Sequence, residues 1–451
     1  MRNKLSMKRI IISLAIGCLG TTMVEAQLSF SNIQLKAIEI QPDVQSGLEQ
    51  LYVIRNAQGA KASYSTSTGT HPKWYRFSNL GGAYAEEITD VSYDGPVSSI
   101  EISPSDMGYI VEDGGRQHCY WIVNYADHEL DIQSLSITAE SDCDRTSLQP
   151  QGKGDAIYYY TINGRRIELS RELKVSYRTL KYSADTESYA EALVDESFPY
   201  LMNTLHVPAP LTDTQFILSG DRFLKEWNIE QEVISESFNT TSVEATTIVS
   251  QVQTDYDNEQ KDSDVSGLGG SAPCDITFRA IVTDAVVFKE WQFSRTNDFD
   301  VIDDRYNQDE VSHTFTENGT TYARFVAANA DGSCTWESDV YTISIGESRL
   351  ECPNAFSPEN QDGVNDLWKV SYKSIISFEC NIFNRWGKKL CTLTHPSQGW
   401  DGKIGNKFVP SGVYFYVIKA RGADGKNYNL AGDINIINSR VNPNPGTSSG
   451  E

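Results

Sequence analysis

The stretch Val413-Tyr414-Phe415-Tyr416-Val417-Ile418 consists only of β-branched and aromatic residues, which favour extended strands. Successive side chains of a strand point to opposite faces, so this strand would be apolar on both. We therefore expect both of its faces to be covered by other parts of the protein. The run at 156–162, which includes three consecutive tyrosines, predicts a second strand rich in β-forming residues.

Turn signals divide the rest of the chain into short segments of similar character. Asp-Gly or Asn-Gly pairs tolerate the positive φ of tight hairpin turns, and they begin at residues 94, 113, 163, 318, 331, 401 and 424. Short strands at this spacing are typical of stacked β-sandwiches. The sequence therefore predicts an all-β fold, with tandem immunoglobulin-like β-sandwich modules and a C-terminal β-sandwich domain.

The charge of the chain argues against one large class of partner. Its 61 Asp and Glu residues outnumber 38 Lys and Arg residues, which gives a formal net charge of −23. Nucleic-acid binding requires Lys and Arg against the phosphates, so we expect no nucleic-acid partner. An excess of acidic residues suits a soluble protein at a crowded cell surface.

The N-terminus predicts a signal peptide at 1–26. A basic region (Arg2, Lys4, Lys8 and Arg9) precedes a short apolar run at 10–17, and Val24-Glu25-Ala26 offers a small-residue cleavage site before Gln27. The apolar run is too short to span a bilayer. Cys18, preceded by Ala15-Ile16-Gly17, gives a lipoprotein alternative, although Ala15 stands where Leu is usual. Either interpretation places the protein outside the inner membrane.

The C-terminal ninety residues carry a series of separated motifs. They are Cys352-Pro353-Asn354-Ala355-Phe356-Ser357-Pro358, Asp362-Gly363-Val364-Asn365-Asp366, Phe383-Asn384-Arg385-Trp386-Gly387, Gly399-Trp400-Asp401-Gly402, Pro410-Ser411-Gly412-Val413-Tyr414 and Gly432-Asp433-Ile434. Their order resembles the gliding-motility-associated C-terminal domain, the B-type sorting signal of type IX secretion. The resemblance implies display at the cell surface or release, with the type IX secretion machinery as partner.

Within that resemblance, eight residues are the expected sorting-domain motif. They are Asn354, Phe356, Pro358, Trp386, Gly387, Trp400, Asp401 and Gly402. We expect the last five of these to supply packing and turns and to have no catalytic role.

A second resemblance concerns the module before the sorting domain. The segments Trp291-Gln292-Phe293 and 313–322 resemble a PKD domain, which is an immunoglobulin-like sandwich. The glycine-aspartate loop that usually follows the Trp strand is replaced here by the segment at 294–300. No ligand role of that loop can therefore be carried over.

These observations divide the chain into six parts. The expected parts are the signal peptide at 1–26, a β-sandwich at 27–145, a second β-rich module and linker at 146–270, the PKD-like sandwich at 272–347, the sorting domain at 350–440 and a disordered tail at 441–451. The linker is the acidic, then Gly/Ser-rich segment at 254–271. In two parts of the second module the sequence does not decide between helix and strand. Helical spacing occurs in Tyr189, Leu193 and Val194, and again in Phe223, Leu224 and Trp227, but aromatic residues favour strands equally.

Seven cysteines follow the predicted signal peptide, and in an exported protein they are interpreted first as disulfides. We expect Cys119–Cys143 across neighbouring strands. We also expect Cys274–Cys334, which would close a loop of about sixty residues worth roughly 4 kcal/mol. Cys380 has two candidate partners, Cys352 and Cys391. No CxxC pair or Cys/His pair at zinc spacing occurs.

Asp362, Asn365 and Asp366 form the one candidate metal site. Calcium needs six to eight oxygen ligands on a flexible loop, and this segment offers three side chains. The alternative is an Asx-type turn in which these side chains bind their own backbone. No other cofactor is expected.

Aromatic segments suggest a candidate glycan-binding surface, at Trp74-Tyr75-Arg76-Phe77 and Tyr158-Tyr159-Tyr160. Because side chains alternate along a strand, only every second ring can face solvent, and packing in the core is the favoured interpretation. A surface glycan and a protein ligand both remain candidate partners.

Catalytic signatures are weak throughout. Gly446-Thr447-Ser448-Ser449-Gly450 matches the nucleophile-elbow pattern but has no helix after it. No HExxH motif occurs, and the adjacent pairs Glu86-Glu87 and Asp303-Asp304 would point to opposite faces of a strand. We expect a non-enzymatic surface protein, adhesin-like or structural. The alternatives are a secreted hydrolase of glycans or peptides with its site in 27–270, and a component of the gliding or secretion machinery.

Overall fold

The computed structural model describes residues 28–66, 68–260 and 267–437. The predicted signal peptide at 1–26 and the predicted tail at 441–451 lie outside these ranges. The described residues form an all-β protein of successive β-sandwiches, which confirms the predicted fold class. No helix within these three ranges is long and apolar enough to cross a membrane.

The first sandwich packs a four-stranded sheet on a six-stranded one. Its strands are β1 (Ser29–Ser31), β2 (Ile38–Ile40), β3 (Gln50–Ile54), β4 (Lys61–Ser65), β5 (Lys73–Phe77), β6 (Glu86–Ile88), β7 (Ser92–Asp94), β8 (Val97–Glu101), β9 (Met107–Asp113) and β10 (Arg116–Asn124). The sheet orders are β1-β4-β8-β7 and β2-β3-β10-β9-β5-β6, and only β3 and β10 pair in parallel. Short 3-10 helices occupy Val44–Ser46, Gly82–Tyr84 and Tyr125–His128.

The second sandwich holds the single α-helix of the described residues, α1 (Arg222–Glu226). Its strands are β11 (Asp131–Ile137), β12 (Arg145–Lys153), β13 (Ile157–Tyr160), β14 (Arg166–Leu169), β15 (Leu173–Ser183), β16 (Ser188–Phe198), β17 (Leu205–Pro208), β18 (Ile217–Ser219) and β19 (Glu232–Ile234). They form the sheets β11-β12-β17, β13-β14 and β16-β15-β18-β19.

The third sandwich has a three-stranded and a six-stranded sheet. Its strands are β20 (Ala245–Gln251), β21 (Leu268–Gly270), β22 (Cys274–Val282), β23 (Phe288–Ser294), β24 (Asp304–Tyr306), β25 (Glu310–Phe315), β26 (Gly319–Ala328), β27 (Thr335–Glu337) and β28 (Tyr341–Ile345). The sheets run β20-β22-β25 and β21-β28-β26-β23-β24, with β27 on β26. Because β11 pairs with β12 and β20 pairs with β22, we propose module boundaries near residues 130 and 245.

The fourth sandwich is built on one large sheet. Its strands are β29 (Arg349–Glu351), β30 (Ala355–Phe356), β31 (Trp368–Lys369), β32 (Ser371–Lys373), β33 (Ile375–Phe383), β34 (Lys389–Leu393), β35 (Gly399–Trp400), β36 (Lys403–Ile404), β37 (Lys407–Phe408), β38 (Gly412–Gly422) and β39 (Asn427–Ile436). The large sheet has the order β30-β39-β38-β33-β34, and three two-stranded sheets complete the domain: β29-β32, β31-β35 and β36-β37.

The hydrophobic cores do not follow these modules one to one. Strand β10 sends Tyr120 and Ile122 into the core of the first sandwich. Its alternate residues Trp121 and Val123 enter a second core, which continues through the second sandwich as far as Trp227. The six-stranded sheet therefore packs against a different core on each of its faces. The third and fourth sandwiches each have a core of their own.

One disulfide occurs in the described residues, and it joins Cys143 to Cys334 across 191 positions. The predicted pair Cys119–Cys143 is therefore wrong. Cys119 lies on β10 and points into the core shared with the second sandwich. The strand that follows it, β11, pairs with β12 and not with β10, so the two cysteines are not on neighbouring strands.

The predicted pair Cys274–Cys334 is also wrong, because Cys274 is the first residue of β22 and Cys334, just before β27, lies near the other end of β22. Cys274 begins that nine-residue strand, which is about 30 Å long. Cys334 packs against Thr241, just before β20, and the first residue of β20 pairs with the last residue of β22. No local rearrangement could join sulfurs so far apart.

The predicted disulfide of Cys380 with Cys352 or Cys391 is wrong as well, because all three cysteines are free thiols. In the β33–β34 pairing Cys391 stands opposite Ile382, and Cys380 stands opposite Leu393. The two cysteines are therefore diagonal neighbours, farther apart than directly opposed residues.

Candidate functional site

Aromatic residues of the C-terminal motifs meet in the core of the fourth sandwich. The ring of Trp400 lies 5.6 Å from that of Phe356 and 5.4 Å from that of Tyr414. Trp368, which is fully buried, donates its indole N–H to the carbonyl of Pro353 at 2.7 Å. Residues that are far apart in the sequence thus form one cluster, and each buried indole retains a hydrogen-bond partner.

Gly402 and Asp401 shape the turn that follows Trp400. Gly402 has a φ of +70°, and a Cβ at this position would lie 2.7 Å from Cγ of the buried Pro358. Asp401 accepts a hydrogen bond from the backbone N–H of Lys403 at 3.0 Å. The Trp-Asp-Gly sequence is therefore required by a tight turn packed on the first motif.

Asn354 and Phe356 tie the first motif to the last strand. The carbonyl of Asn354 accepts the backbone N–H of Asn435 at 2.9 Å, and that of Phe356 accepts the N–H of Ile437 at 3.0 Å. Strand β30 lies parallel to the end of β39. This pairing brings the two ends of the domain together at one edge of its large sheet.

Trp386 differs from the other motif residues because its side chain is 75% exposed. It lies in the turn at 384–388, where Asn384 accepts the backbone N–H groups of Trp386 and Lys388, and where Gly387 has a φ of +78°. The guanidinium of Arg385 stacks over the indole at 4.3 Å. Gly387 has the expected turn role, but Trp386 does not supply packing to the core.

The outer face of β38 also differs from expectation. Tyr414 and Ile418 are buried, whereas Val413, Phe415 and Val417 on the other face are 47%, 43% and 41% exposed. The expectation that both faces would be covered is therefore wrong for this strand. Across the sheet, Phe383 stands opposite Phe415 on the same face. We call Phe383, Val413, Phe415 and Val417 the open face.

The candidate calcium ligands lie in the loop at 357–367. Asp362 accepts the backbone N–H of Val364, and Asp366 accepts that of Gly363, both at 2.9 Å. The carbonyl of Asn365 accepts the N–H of Ser357. The two carboxylates thus stabilise their own turn, while calcium binding by Asp362, Asn365 and Asp366 stays a prediction.

Comparison with protein families assigns two of the sandwiches. Residues 350–436 match the model described as the CHU_C type IX secretion signal domain. The C-terminal sandwich is a type IX secretion signal domain. Residues 136–235 match a fibronectin type III domain, which agrees with the immunoglobulin-like architecture of the second sandwich.

The solved structures named below are distantly similar to this chain. A search of curated proteins found no match for the chain. Among solved structures, a tetra-tandem repeat from the extending region of a large adhesion protein is 10% identical and covers 85% of this chain and 96% of its own, with a TM-score of 0.20. Fibronectin(III)-like modules of Clostridium thermocellum CbhA are 15% identical, and the match covers 43% of this chain and 96% of the CbhA chain, with a TM-score of 0.18. Dimeric latent PorU from Porphyromonas gingivalis is 8% identical, and the match covers 71% of this chain and 35% of the PorU chain, with a TM-score of 0.17.

The signal domain implies interaction with the secretion machinery and export to the cell surface or the extracellular space. Arg385 belongs to one of the sequence motifs, whereas Lys388 and Lys389, which lie beside the exposed Trp386, follow that motif and are not part of it. The available signals were the lysine doublet in an otherwise acidic chain and the run of apolar residues at 413–418.

The aromatic segments considered for glycan binding are largely internal. Trp74 and Phe77 are buried, and the indole N–H of Trp74 donates to the Ser98 hydroxyl at 2.9 Å. Tyr159 is buried too, and its hydroxyl accepts the backbone N–H of Asp43. Tyr75 and Tyr160 are half-buried and pack against the same core, so glycan binding by these segments stays a prediction.

Proposed function

We propose that the protein is a non-enzymatic surface protein, adhesin-like or structural, delivered by its type IX secretion signal domain. The observation that carries the proposal is that each sandwich is fixed to the next by specific contacts. Such a series can hold a binding module away from the secretion signal and transmit force along the chain.

The first junction is a buried ion pair. Arg171 and Asp221 are both fully buried, with 2.7 Å between Nη1 and Oδ2. The Tyr125 hydroxyl donates to the same carboxylate at 2.9 Å, and Arg171 also donates to the carbonyls of Asp155 and His128. Since Tyr125 and His128 follow β10, this network ties the end of the first sandwich into the second.

The second junction is covalent. The Cys143–Cys334 disulfide links the loop after β11 to the loop before β27. The β15–β16 hairpin also contacts the third sandwich. Glu187 forms an ion pair with Arg279 at 2.5 Å, and the hydroxyl groups of Tyr189 and Thr246 form a hydrogen bond at 3.0 Å. Two attachments constrain a junction more than one flexible linker would.

The third junction uses part of the segment expected to be a linker. Asn258 donates to the carbonyls of Val370 and Pro396 at 2.7 and 2.8 Å. The carbonyl of Asn258 accepts the N–H of Tyr372, whose own carbonyl accepts that of Gln260. This segment therefore lies along β32 of the signal domain; residues 261–266 lie outside the described ranges.

The chemistry of the free cysteines supports a non-enzymatic role. Burial raises the pKa of Cys119 and of Cys274 to about 11, and that of Cys380 to about 12. A nucleophilic cysteine needs the opposite shift, because the thiolate is the reactive form. Burial also raises the pKa of Cys352 and of Cys391.

Whole cells provide the direct test. Cells that display the chain and cells that lack it would be compared for attachment to surfaces and to other cells. Secreted material would be assayed on mixed peptide and glycan substrates. We expect a loss of attachment and no difference in turnover. Turnover that depends on the chain, with unchanged attachment, would replace the proposal with the hydrolase alternative.

A further inference from the structure

The open face of the signal domain is an exposed apolar surface on β38, a strand whose residues at 413–418 are all β-branched or aromatic. Val413, Phe415 and Val417 alternate along β38 with residues that are buried in the domain. The exposed Trp386 and the exposed Ile437 lie at the same end of the sheet, after β33 and β39 respectively. Contiguous exposed apolar side chains of this kind mark interaction sites more often than isolated ones.

The described chain covers the opposite end of this sheet instead. Ala423, in the turn between β38 and β39, belongs to the core of the third sandwich, and Ile376 at the start of β33 packs against that core. The N–H of Asn318 donates to the carbonyl of Ala423. One end of the signal domain is therefore attached to the third sandwich, while the end with the open face points away from this attachment.

Basic side chains lie on one side of the open face, at the turn between β33 and β34. Arg385, Lys388 and Lys389 are exposed, and none has an ion-pair partner among the described residues. Lys389 stands opposite Phe383 in the β33–β34 pairing. Two carboxylates share this face: Asp433 stands opposite Phe415 and accepts from the Asn435 side-chain amide, and Glu379 stands opposite Lys419 and accepts from the Asn381 side-chain amide.

The charge of the signal domain also differs from that of the whole chain. Residues 350–437 contain ten Lys and Arg residues against eight Asp and Glu, whereas the whole chain has a formal net charge of −23. Local positive charge beside an apolar surface favours a partner with an apolar centre and an acidic rim. It also steers such a partner to this end of the molecule and away from the acidic modules.

We propose that the open face, with Trp386, Arg385, Lys388 and Lys389, is the surface by which the signal domain docks on a protein of the type IX secretion machinery. The partner would present an apolar groove edged with carboxylates. The proposal goes beyond the adhesin-like role and depends only on the secretion signal. A polypeptide is favoured over a membrane because the signal domain implies interaction with the secretion machinery. The apolar residues also lie on one sheet face around Phe415, as in interfaces with a buried aromatic centre.

The test uses the full-length chain in a bacterium with a type IX secretion system, and it measures the fraction exposed to external protease. One variant combines Phe415→Ser with Trp386→Ser, and a second combines Arg385→Glu, Lys388→Glu and Lys389→Glu. We expect each to lower surface display about tenfold, as loss of interface anchors does. A chain without residues 350–451 gives the level of complete failure.

Matched controls lie on the β36–β37 hairpin of the same domain. Ile404 is 52% exposed and Lys407 is an exposed lysine, so Ile404→Ser and Lys407→Glu make the same chemical changes in a separate small sheet. We expect both to be displayed normally. The charge variant changes two residues of the turn at 384–388 and the first residue of β34, all of them exposed. Melting temperatures of the purified chains would show that no variant acts by unfolding.

Three outcomes would overturn the proposal. The first is normal display of both open-face variants while the deletion fails, which leaves the signal in place but puts docking elsewhere. The second is binding of the purified chain to vesicles of phosphatidylethanolamine and phosphatidylglycerol that the charge variant loses, which makes the occupant a membrane. The third is a dimer in sedimentation that Phe415→Ser disrupts, which makes it a second copy. Crosslinking in cells from position 415, but not from 404, to a defined component of the machinery would support the proposal.

Discussion

The first and second junctions join neighbouring sandwiches in different ways. At the first, the hydrophobic core continues from the first sandwich into the second, and a buried ion pair lies within the contact region. At the second, the cores are separate, and a disulfide with partly exposed polar contacts makes the connection. Where apolar burial is extensive no covalent link is needed, and where it is small a disulfide limits separation.

Breaking the ion pair should have the largest effect on this comparison. Arg171→Ala leaves the Asp221 carboxylate buried without its cation, so we expect a loss of about 3–5 kcal/mol in the free energy of unfolding. Because the core is continuous, the first and second sandwiches should lose stability together in urea unfolding followed by tryptophan fluorescence.

Arg178→Ala is the control for that change, since Arg178 pairs with Glu191 on the surface of the second sandwich. We expect it to cost less than about 1 kcal/mol. Equal effects of the two substitutions would mean that the buried pair does not hold the first junction. The double variant Arg171→Met with Asp221→Leu should restore part of the lost stability, because no charge is then left buried although Tyr125 loses its hydrogen-bond partner.

Removing the disulfide should have a smaller and more local effect. With Cys143→Ala and Cys334→Ala we expect a loss of about 2–4 kcal/mol, confined to the third sandwich and its junction. Limited proteolysis should become faster in the segment at 236–244. Reducing agent should reproduce this in the natural chain and change nothing in the variant; faster cleavage inside the first sandwich would contradict the separation of cores.

The third junction sharpens the comparison because it has no disulfide among the described residues and only a small apolar contact, which Ala423 and Ile376 make with the core of the third sandwich. Asn258→Ala removes two hydrogen bonds to backbone carbonyls, so we expect a loss of about 1–2 kcal/mol. The Tyr372 amide donates to the carbonyl of Asn258, so its rate of hydrogen exchange reports the local stability of this junction. Asp257→Asn is the milder control, because the ion pair with Lys369 is exposed. Unchanged exchange in Asn258→Ala would show that this segment is not fixed by its side chain.

Acid should act on the third sandwich with the smallest effect. Burial beside aromatic rings lowers the pKa of His313, with a weaker opposing effect from Asp304. The folded state therefore favours the neutral imidazole. Its contribution to stability is present above the unfolded pKa of about 6.5 and is lost as pH falls through the lower folded pKa.

Calorimetry between pH 7.5 and 5.5 would test this effect. We expect the melting transition of the third sandwich to move down with acid in the natural chain, and to move less in His313→Phe. If the melting transitions of the first two sandwiches move with acid as much as that of the third, and His313→Phe reduces all of them, then the cores are coupled and the comparison between the junctions fails.

Local pattern was sufficient for the β-rich fold and for the turns. The Asp-Gly pair at 401–402 lies in a turn with positive φ at Gly402, and the motif residues Phe356 and Trp400 meet in one core. Spacing alone was not sufficient elsewhere. Tyr189, Leu193 and Val194 lie in strand β16, whereas Phe223 and Leu224 lie in helix α1, although both groups have helical spacing.

The sequence by itself determined the strand composition, the turn positions and the type IX secretion signal, because these depend on residues close together or on ordered motifs. Only the tertiary structure decided that Cys143 pairs with Cys334, that the first two sandwiches share a core, and that one face of β38 is open. The physical reason is that disulfide pairing and burial depend on distances between strands remote in the sequence, and alternation along one strand does not specify which neighbour covers each face.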